Sequence, residues 1–196
     1  MINILGVDVV GAAWLVYLLF WFVTAFFTKK AVIKRRWGLQ ILWRVILIIL
    51  VITYIRSTGR SGGQNIESLF VSLFNSSLTL QIVGLIMVLL GLVGAVWARI
   101  YLGSNWSGYV TYKENHELVT TGPYRFARHP IYTSLLLMGI GTFIYYGYYF
   151  ILGIFIIMGI IFLWRIKKEE EIMIKLFGQK YKDYMKKTKR LVPGVW

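Results

Sequence analysis

Apolar residues run in long unbroken stretches along this chain, and the charged residues between them are gathered into short clusters. Residues 9–28, 68–97 and 131–164 contain no charge, and residues 37–55 are interrupted only by Arg44. About 20 apolar residues carry a helix across the hydrocarbon core, where every backbone N–H and C=O has to be paired internally. Residues 9–28, 37–55 and 68–97 therefore predict one membrane span each. Arg44 lies about two turns into its span, so its long side chain can snorkel back to the interface.

The stretch 131–164 is too long for one comfortable span and slightly short for two. Its middle reads IYYGYYF, with Gly147 as a turn residue and aromatics suited to the lipid–water interface. A tight helical hairpin is predicted. A single tilted helix would leave Gly147 and its flanking tyrosines in mid-membrane without a reason. Residues 169–190 can form a further, amphipathic helix with Ile172, Leu176 and Phe177 near helical spacing and Tyr181 and Tyr184 beyond. Glu171 and Lys175 make a favourable i,i+4 pair in it, and Gly178 marks a break point. The predicted fold class is an all-α polytopic membrane protein with about five transmembrane helices. Residues 1–97 hold three spans, and residues 98–196 hold a cytoplasmic loop, the hairpin and the C-terminal helix.

Composition supports this reading. A 196-residue chain with 58% hydrophobic residues and a mean hydropathy of +0.65 is no ordinary soluble domain. The formal net charge of +14 invites a nucleic-acid reading, but its distribution opposes one. Lys29, Lys30, Lys34, Arg35 and Arg36 follow the first span; Arg99, Lys113, Arg125 and Arg128 fall in the loop after the third; most of the rest lie between Arg165 and Arg190. The loop between the second and third spans holds only Arg56 and Arg60. The positive-inside rule then puts the N-terminus outside and the C-terminus in the cytoplasm. The remaining excess suits anionic lipid. The first span lacks a basic n-region and a small-residue cleavage pattern, and reads as a retained helix.

The absence of cysteine excludes disulfides, thiolate metal sites and a cysteine nucleophile. Two histidines without a carboxylate pair at ligand spacing predict no metal, and with aspartate only at positions 8 and 183 a Ser-His-Asp triad has no support. Gly91, Gly94, Gly139 and Gly141 lie inside apolar helical runs with no preceding strand, so they read as close-packing positions rather than a phosphate loop. No βαβ pattern offers a Rossmann-type domain.

Three clusters converge on one cytoplasmic layer: residues 102–107 (LGSNWS), residues 116–132 (HELVTTGPYRFARHPIY) and residues 165–171 (RIKKEEE). Pro130 removes a backbone donor and biases His129 away from helical geometry, so His129 points off a helix start whose free N–H groups favour an anion. Arg165 can hold a carboxylate bidentately, and Glu169, four residues on, can accept from an ammonium. Taken singly, each has a plainer reading. Arg125 and Arg128 are headgroup anchors, His116 and His129 interfacial side chains, Arg165 a snorkeller and residues 169–171 a solvated face. Their conjunction argues for a binding site.

The order LGSNWS, HELVTTGPYRFARHPIY, RIKKEEE, LFGQKYKDYMKKTKRLVPG resembles the isoprenylcysteine carboxyl methyltransferase family, part of a wider group of membrane methyltransferases that includes the phospholipid methyltransferases. The resemblance covers roughly residues 99–194. It implies S-adenosylmethionine bound at the cytoplasmic face, surrounded by His116, Leu118, Val119, Tyr124 and residues His129, Pro130 and Tyr132. Glu169, with Glu170 beside it, would hold the cofactor's polar end. Arg165 would face the methyl acceptor, whose lipid tail enters sideways from the bilayer, so Arg165 and Glu169 are the implied catalytic pair. Ser134 departs from the glycine many relatives carry there, which bears on helix packing. The implied partners are a lipidic or prenylated acceptor and membrane lipid. The implied location is the plasma (inner) membrane of a prokaryote, where a small isoprenoid or lipid acid becomes a plausible acceptor, or the endoplasmic reticulum of a eukaryote.

A carboxylate acceptor is already ionised at neutral pH and needs no general base, which favours O-methylation; an amine acceptor would have to lose a proton. The alternatives are a phospholipid N-methyltransferase, an NADPH-dependent sterol reductase-like enzyme, and a non-catalytic lipid-binding membrane protein.

Overall fold

The computed structural model describes residues 3–4, 7–29, 73–107 and 115–192. The second expected span, 37–55, lies outside the described residues. The chain opens with a minimal antiparallel ladder, β1 (Asn3–Ile4) with β2 (Val7–Asp8), the one departure from an all-helical fold among the described residues. Asp8 then caps the first helix, α1 (Val9–Ala25), its carboxylate accepting from the Gly11 N–H at 3.0 Å.

Helix α2 (Leu78–Leu102) corresponds to the third expected span but begins and ends later than the charge-free run. Ser77 is its N-cap, accepting from the Leu80 N–H at 3.4 Å. The segment before it is tied elsewhere: the Ser76 hydroxyl donates to Ile144 O at 3.2 Å and the Leu73 N–H to Gly147 O at 2.7 Å. At the other end Arg99 belongs to the helix and is buried, not in the following loop as the charge pattern suggests. Its guanidinium satisfies the carbonyls of Gly103 and Thr24, both at 2.7 Å, which holds it inside.

The stretch 131–164 is a hairpin. Helix α3 (Pro130–Tyr146) ends at Gly147, whose left-handed φ of 73° lets its N–H reach Phe143 O at 2.7 Å, and α4 (Tyr149–Phe177) follows at once. A side chain at position 147 would also meet Phe74 O at 2.6 Å. The tail is not one helix: α4 carries through without interruption to Phe177, Gly178 breaks it with φ 52°, and α5 (Gln179–Lys187) is separate. Residues 149–164 of α4 are charge-free; residues 165–177 form a polar extension beyond that apolar part.

Glycines bring α2 and α3 together. A Cβ at Gly84 would lie 2.6 Å from Gly141 O, and one at Gly91 would lie 2.7 Å from Ser134 O. Ser134 packs there as well: its hydroxyl lies 2.7 Å from where a Cβ at Gly94 would stand, so glycines on α2 make room for the serine on α3. Val10, Ala13 and Tyr17 of α1 join Val88, Ala95, Met138 and Tyr145 in the core, and Trp14 Nε1 donates to Thr142 Oγ1 at 3.0 Å.

Most of the apolar surface faces outward. Two helical stretches, Leu78–Asn105 and Tyr149–Phe177, are long and apolar enough to cross a membrane, yet only 22% and 17% of their most apolar windows are buried. The core helix of a soluble protein would be mostly covered; these helices present leucine, isoleucine and valine to their surroundings, as contact with lipid requires.

Candidate functional site

The site begins where the chain enters α3. After the 3-10 turn Gly122–Arg125, residues 127–129 pass beside the C-terminal segment, with an isolated parallel bridge between Ala127 and Lys189. The Arg128 N–H donates to Lys189 O at 2.8 Å and the His129 N–H to Arg190 O at 3.0 Å. One helical turn further on, the Thr133 hydroxyl donates to Leu191 O at 2.8 Å. His129 is the N-cap of α3 with non-helical torsions, and Pro130 follows at the first helical position.

The polar extension of α4 lies against this junction. Glu170 is almost fully buried, its side chain 4% exposed, and both oxygens are engaged. Arg128 Nε donates to Oε1 at 2.8 Å, Arg190 Nε to Oε2 at 3.0 Å, and His129 Nε2 lies 3.6 Å from Oε1. Burial alone would raise this carboxyl's pKa; the adjacent His129 ring, the hydrogen bonds from Arg190 and Arg128 and the charge of Arg128 outweigh it and hold the pKa down to about 2. Arg128 Nη1 also reaches Met185 O at 3.1 Å and Thr188 O. A headgroup anchor would stand in solvent. Arg128 is 7% exposed and ion-paired, so the anchor reading fails for it, while Arg125 is exposed and lies over Phe126.

Glu169, one residue earlier, faces another set of groups. The Tyr132 hydroxyl donates to its Oε1 at 2.7 Å and Arg165 Nη2 lies 3.4 Å from the same oxygen. Its Oε2 has His129 Nδ1 at 3.6 Å, longer than a hydrogen bond, so it retains acceptor capacity. The Tyr132 ring is stacked between His129, at 5.7 Å, and Phe162, at 4.5 Å, with the Arg165 guanidinium 5.8 Å from its centre. With side chains 23% and 26% exposed, Glu169 and Arg165 are far more accessible than Glu170.

The predicted site residues thus fall into one tight group and two attached ones. His129, Pro130, Tyr132, Arg165, Glu169 and Glu170 are contiguous. His116 stands apart from the glutamates, its ring 5.9 Å from Phe177 at the far end of α4, and Leu118 and Val119 follow it in an irregular, half-buried segment. Tyr124 is buried, bridging elements: its hydroxyl donates to Ala98 O at 3.3 Å and its own carbonyl accepts from Tyr184. Burial, then the neighbouring Tyr184 and Glu169, push its phenol pKa well up. Sequence reasoning missed Phe162 and Arg190. Helical spacing puts Phe162 one turn before Arg165, so the aromatic floor was within reach of periodicity. Nothing local marks Arg190, because its role depends on the C-terminal segment folding back.

Among the described residues no group of histidines and carboxylates suits a metal ion. Fold and site together define a helical membrane protein with a buried polar junction at one end of a hairpin and, among the described residues, no nucleotide-binding sheet. Comparison with known proteins gives this class its family. The phospholipid methyltransferase family model matches residues 79–180, just over half of the chain, which therefore belongs to that family. Similar proteins include protein-S-isoprenylcysteine O-methyltransferase of Xenopus laevis, 35% identical over 119 residues (59% of this chain, 41% of that protein). The Dictyostelium discoideum protein of the same name is 33% identical over 116 residues (58% and 49%). The structure of a eukaryotic intramembrane Ras methyltransferase, isoprenylcysteine carboxyl methyltransferase, matches with a TM-score of 0.54 and 31% identity, over 60% of this chain and 43% of that one. The chain spans about half the length of the relatives it matches. With its outward-facing apolar helices, it is an integral membrane protein.

Proposed function

We propose that this protein is an S-adenosylmethionine-dependent methyltransferase that methylates the carboxylate of an isoprenylcysteine-like or isoprenoid lipid. The observation that carries the reading is the grouping of Glu169, Arg165, Tyr132 and His129 at the hairpin's polar end, inside the region the family model matches. The residues present fit the cofactor. Glu169 keeps a free acceptor for an ammonium, and the irregular segment at Leu118 and Val119 offers backbone groups to a base. His116, Tyr124, Pro130 and Glu170 complete and brace that pocket. When bound, the cofactor supplies an electrophilic methyl group.

The chain's own residues then have little covalent chemistry to perform. Glu169 holds the donor's amino end, and Arg165 presents a planar fork to an acceptor carboxylate. Phe162 and the apolar part of α4 exclude water and admit a lipid tail. In this reading residues 98–196 form the catalytic half, the N-terminus lies outside and the C-terminus in the cytoplasm. The count of five spans includes the stretch 37–55, which lies outside the described residues. The membrane is the plasma (inner) membrane of a prokaryote or the endoplasmic reticulum of a eukaryote.

A second reading is phospholipid N-methylation. It draws on the family's description and on His129, which sits between two carboxylates and could relay a proton from an amine. One experiment separates the two. Membranes containing the protein are given methyl-labelled S-adenosylmethionine with an S-farnesylcysteine derivative bearing a free carboxylate, or with phosphatidylethanolamine. Base-labile label on the first compound supports carboxyl methylation; label on the amine lipid alone overturns it, and label on neither, in protein that binds S-adenosylhomocysteine, would require another acceptor.

A further inference from the structure

The LGSNWS cluster takes no part in the site above, yet it closes a second cavity. Where the C-terminal ends of α1 and α2 meet, Phe20, Thr24, Phe27, Ile100 and Ser104 surround a half-open space of about 290 Å³ with Arg99 in its wall. That volume is at the small end of ligand pockets, about 300–1,000 Å³, and suits a headgroup rather than a whole nucleotide cofactor.

Arg99 is the unusual member. It is 3% exposed. Its terminal amino groups donate to Gly103 O and Thr24 O, which satisfies hydrogen bonds but leaves the charge uncompensated. No carboxylate pairs with it among the described residues, and its Nε, shielded from solvent, has no hydrogen-bond partner. The face of Trp106, 4.6 Å away, adds only a weak attraction. The neighbouring cation Lys29 is already occupied, by Asn105 at 3.1 Å, Asn115 O at 2.8 Å and Glu117 at 3.7 Å. A buried charge without a counter-ion is costly, and an anion entering the cavity would remove that cost.

The rim says which anion. Among the lining residues Phe27 and Ile100 are 72% and 63% exposed, so the mouth is bordered by apolar side chains of the kind that lipid covers. An anion that also carries acyl chains meets both halves of this environment. We propose that the cavity between the ends of α1 and α2 binds the phosphate of an anionic membrane lipid, with Arg99 as its counter-ion and Phe27 and Ile100 against its chains. The site shares no residue with the His129–Glu169 group and does not depend on the reaction proposed for it.

The test is calorimetric titration of the detergent-purified full chain with short-chain phosphatidylglycerol, alongside dihexanoylglycerol, which lacks the phosphate, and inorganic phosphate, which lacks the chains. Saturable binding of phosphatidylglycerol is expected, at least about tenfold tighter than either control. Arg99→Met is expected to lose about tenfold or more in that affinity. Because this change also frees two carbonyls, Ser104→Phe serves as a second variant that fills the cavity without touching the guanidinium, and the same loss is expected. Equal binding of dihexanoylglycerol would overturn the counter-ion role, and equal binding of inorganic phosphate the lipid. Wild-type affinity in both variants would overturn the location.

Discussion

Arg128 and Glu170 meet at 2.8 Å with side chains 7% and 4% exposed, joining the entrance of α3 to the polar extension of α4. Through the same guanidinium Arg128 reaches the backbone of α5 and Thr188, and through the same carboxylate Glu170 reaches Arg190. The pair therefore fastens three separate pieces of chain. Glu169, adjacent in sequence, points to a more open group of Tyr132, Arg165 and His129. Neighbouring positions on a helix differ by about 100° in direction, which is how two glutamates in one acidic run serve different ends.

Removing one member of a buried ion pair strands the other. Glu170→Ala and Arg128→Met are each expected to cost about 3–5 kcal/mol of stability. Arg190→Met is expected to cost far less, because that side chain is 38% exposed and screened. Thermal unfolding in detergent measures the difference. Limited proteolysis should show earlier cleavage after Gly178 in the two severe variants only.

The same carboxylate sets an acid limit. Its folded pKa of about 2 lies below the ordinary value of 4.5, so the unfolded chain takes up its proton first as pH falls. The stability it contributes is fully present above about pH 4.5 and is lost progressively as pH falls towards about 2, on the order of 3 kcal/mol in all. In Glu170→Gln the stability–pH curve should be flatter across this window than in the wild type. An unchanged slope would mean that another group governs acid unfolding.

Much of the architecture was legible because lipid imposes it. Charge-free runs located α1, α2 and the hairpin, and the IYYGYYF stretch located its turn at Gly147. Boundaries were less legible, since they depend on tertiary partners: α2 waits for Ser77 because the preceding residues bond to the α3 turn, and it runs past Arg99 because that charge finds carbonyls inside. Motif and helical spacing brought His129, Tyr132, Arg165 and Glu169 into view together. The burial of Arg128 did not show, since a basic loop at a membrane surface reads as an anchor until a buried carboxylate is found opposite it.

The small residues between α2 and α3 predict a position-specific penalty. Gly84→Ala and Gly141→Ala would each push a methyl to within 2.6 Å of the opposing backbone carbonyl, where no side chain can yield. Each is expected to cost about 1–3 kcal/mol. Gly153→Ala is the control: no described atom lies within 4 Å of its added carbon, and alanine lowers the helix's entropy cost by roughly 0.5–1 kcal/mol. Melting temperatures should fall for the first two and hold or rise for the third. A fall in all three would point to a general intolerance of added bulk.

Arg165 and Glu169 touch, at 3.4 Å, but the proposed roles assign them to different ligands, and kinetics can pull them apart. Arg165→Ala is expected to lower kcat/KM for a carboxylate acceptor about 100-fold while S-adenosylhomocysteine affinity stays within about twofold. Glu169→Gln is expected to weaken S-adenosylhomocysteine binding about tenfold, because an amide cannot pair with an ammonium as a carboxylate does. Arg165→Lys should recover little, since a point charge does not replace a planar fork. If the two residues served only to brace each other, both variants would lose stability together and neither would separate acceptor from cofactor. Calorimetry with S-adenosylhomocysteine and initial-rate measurements on the same preparations decide between these outcomes.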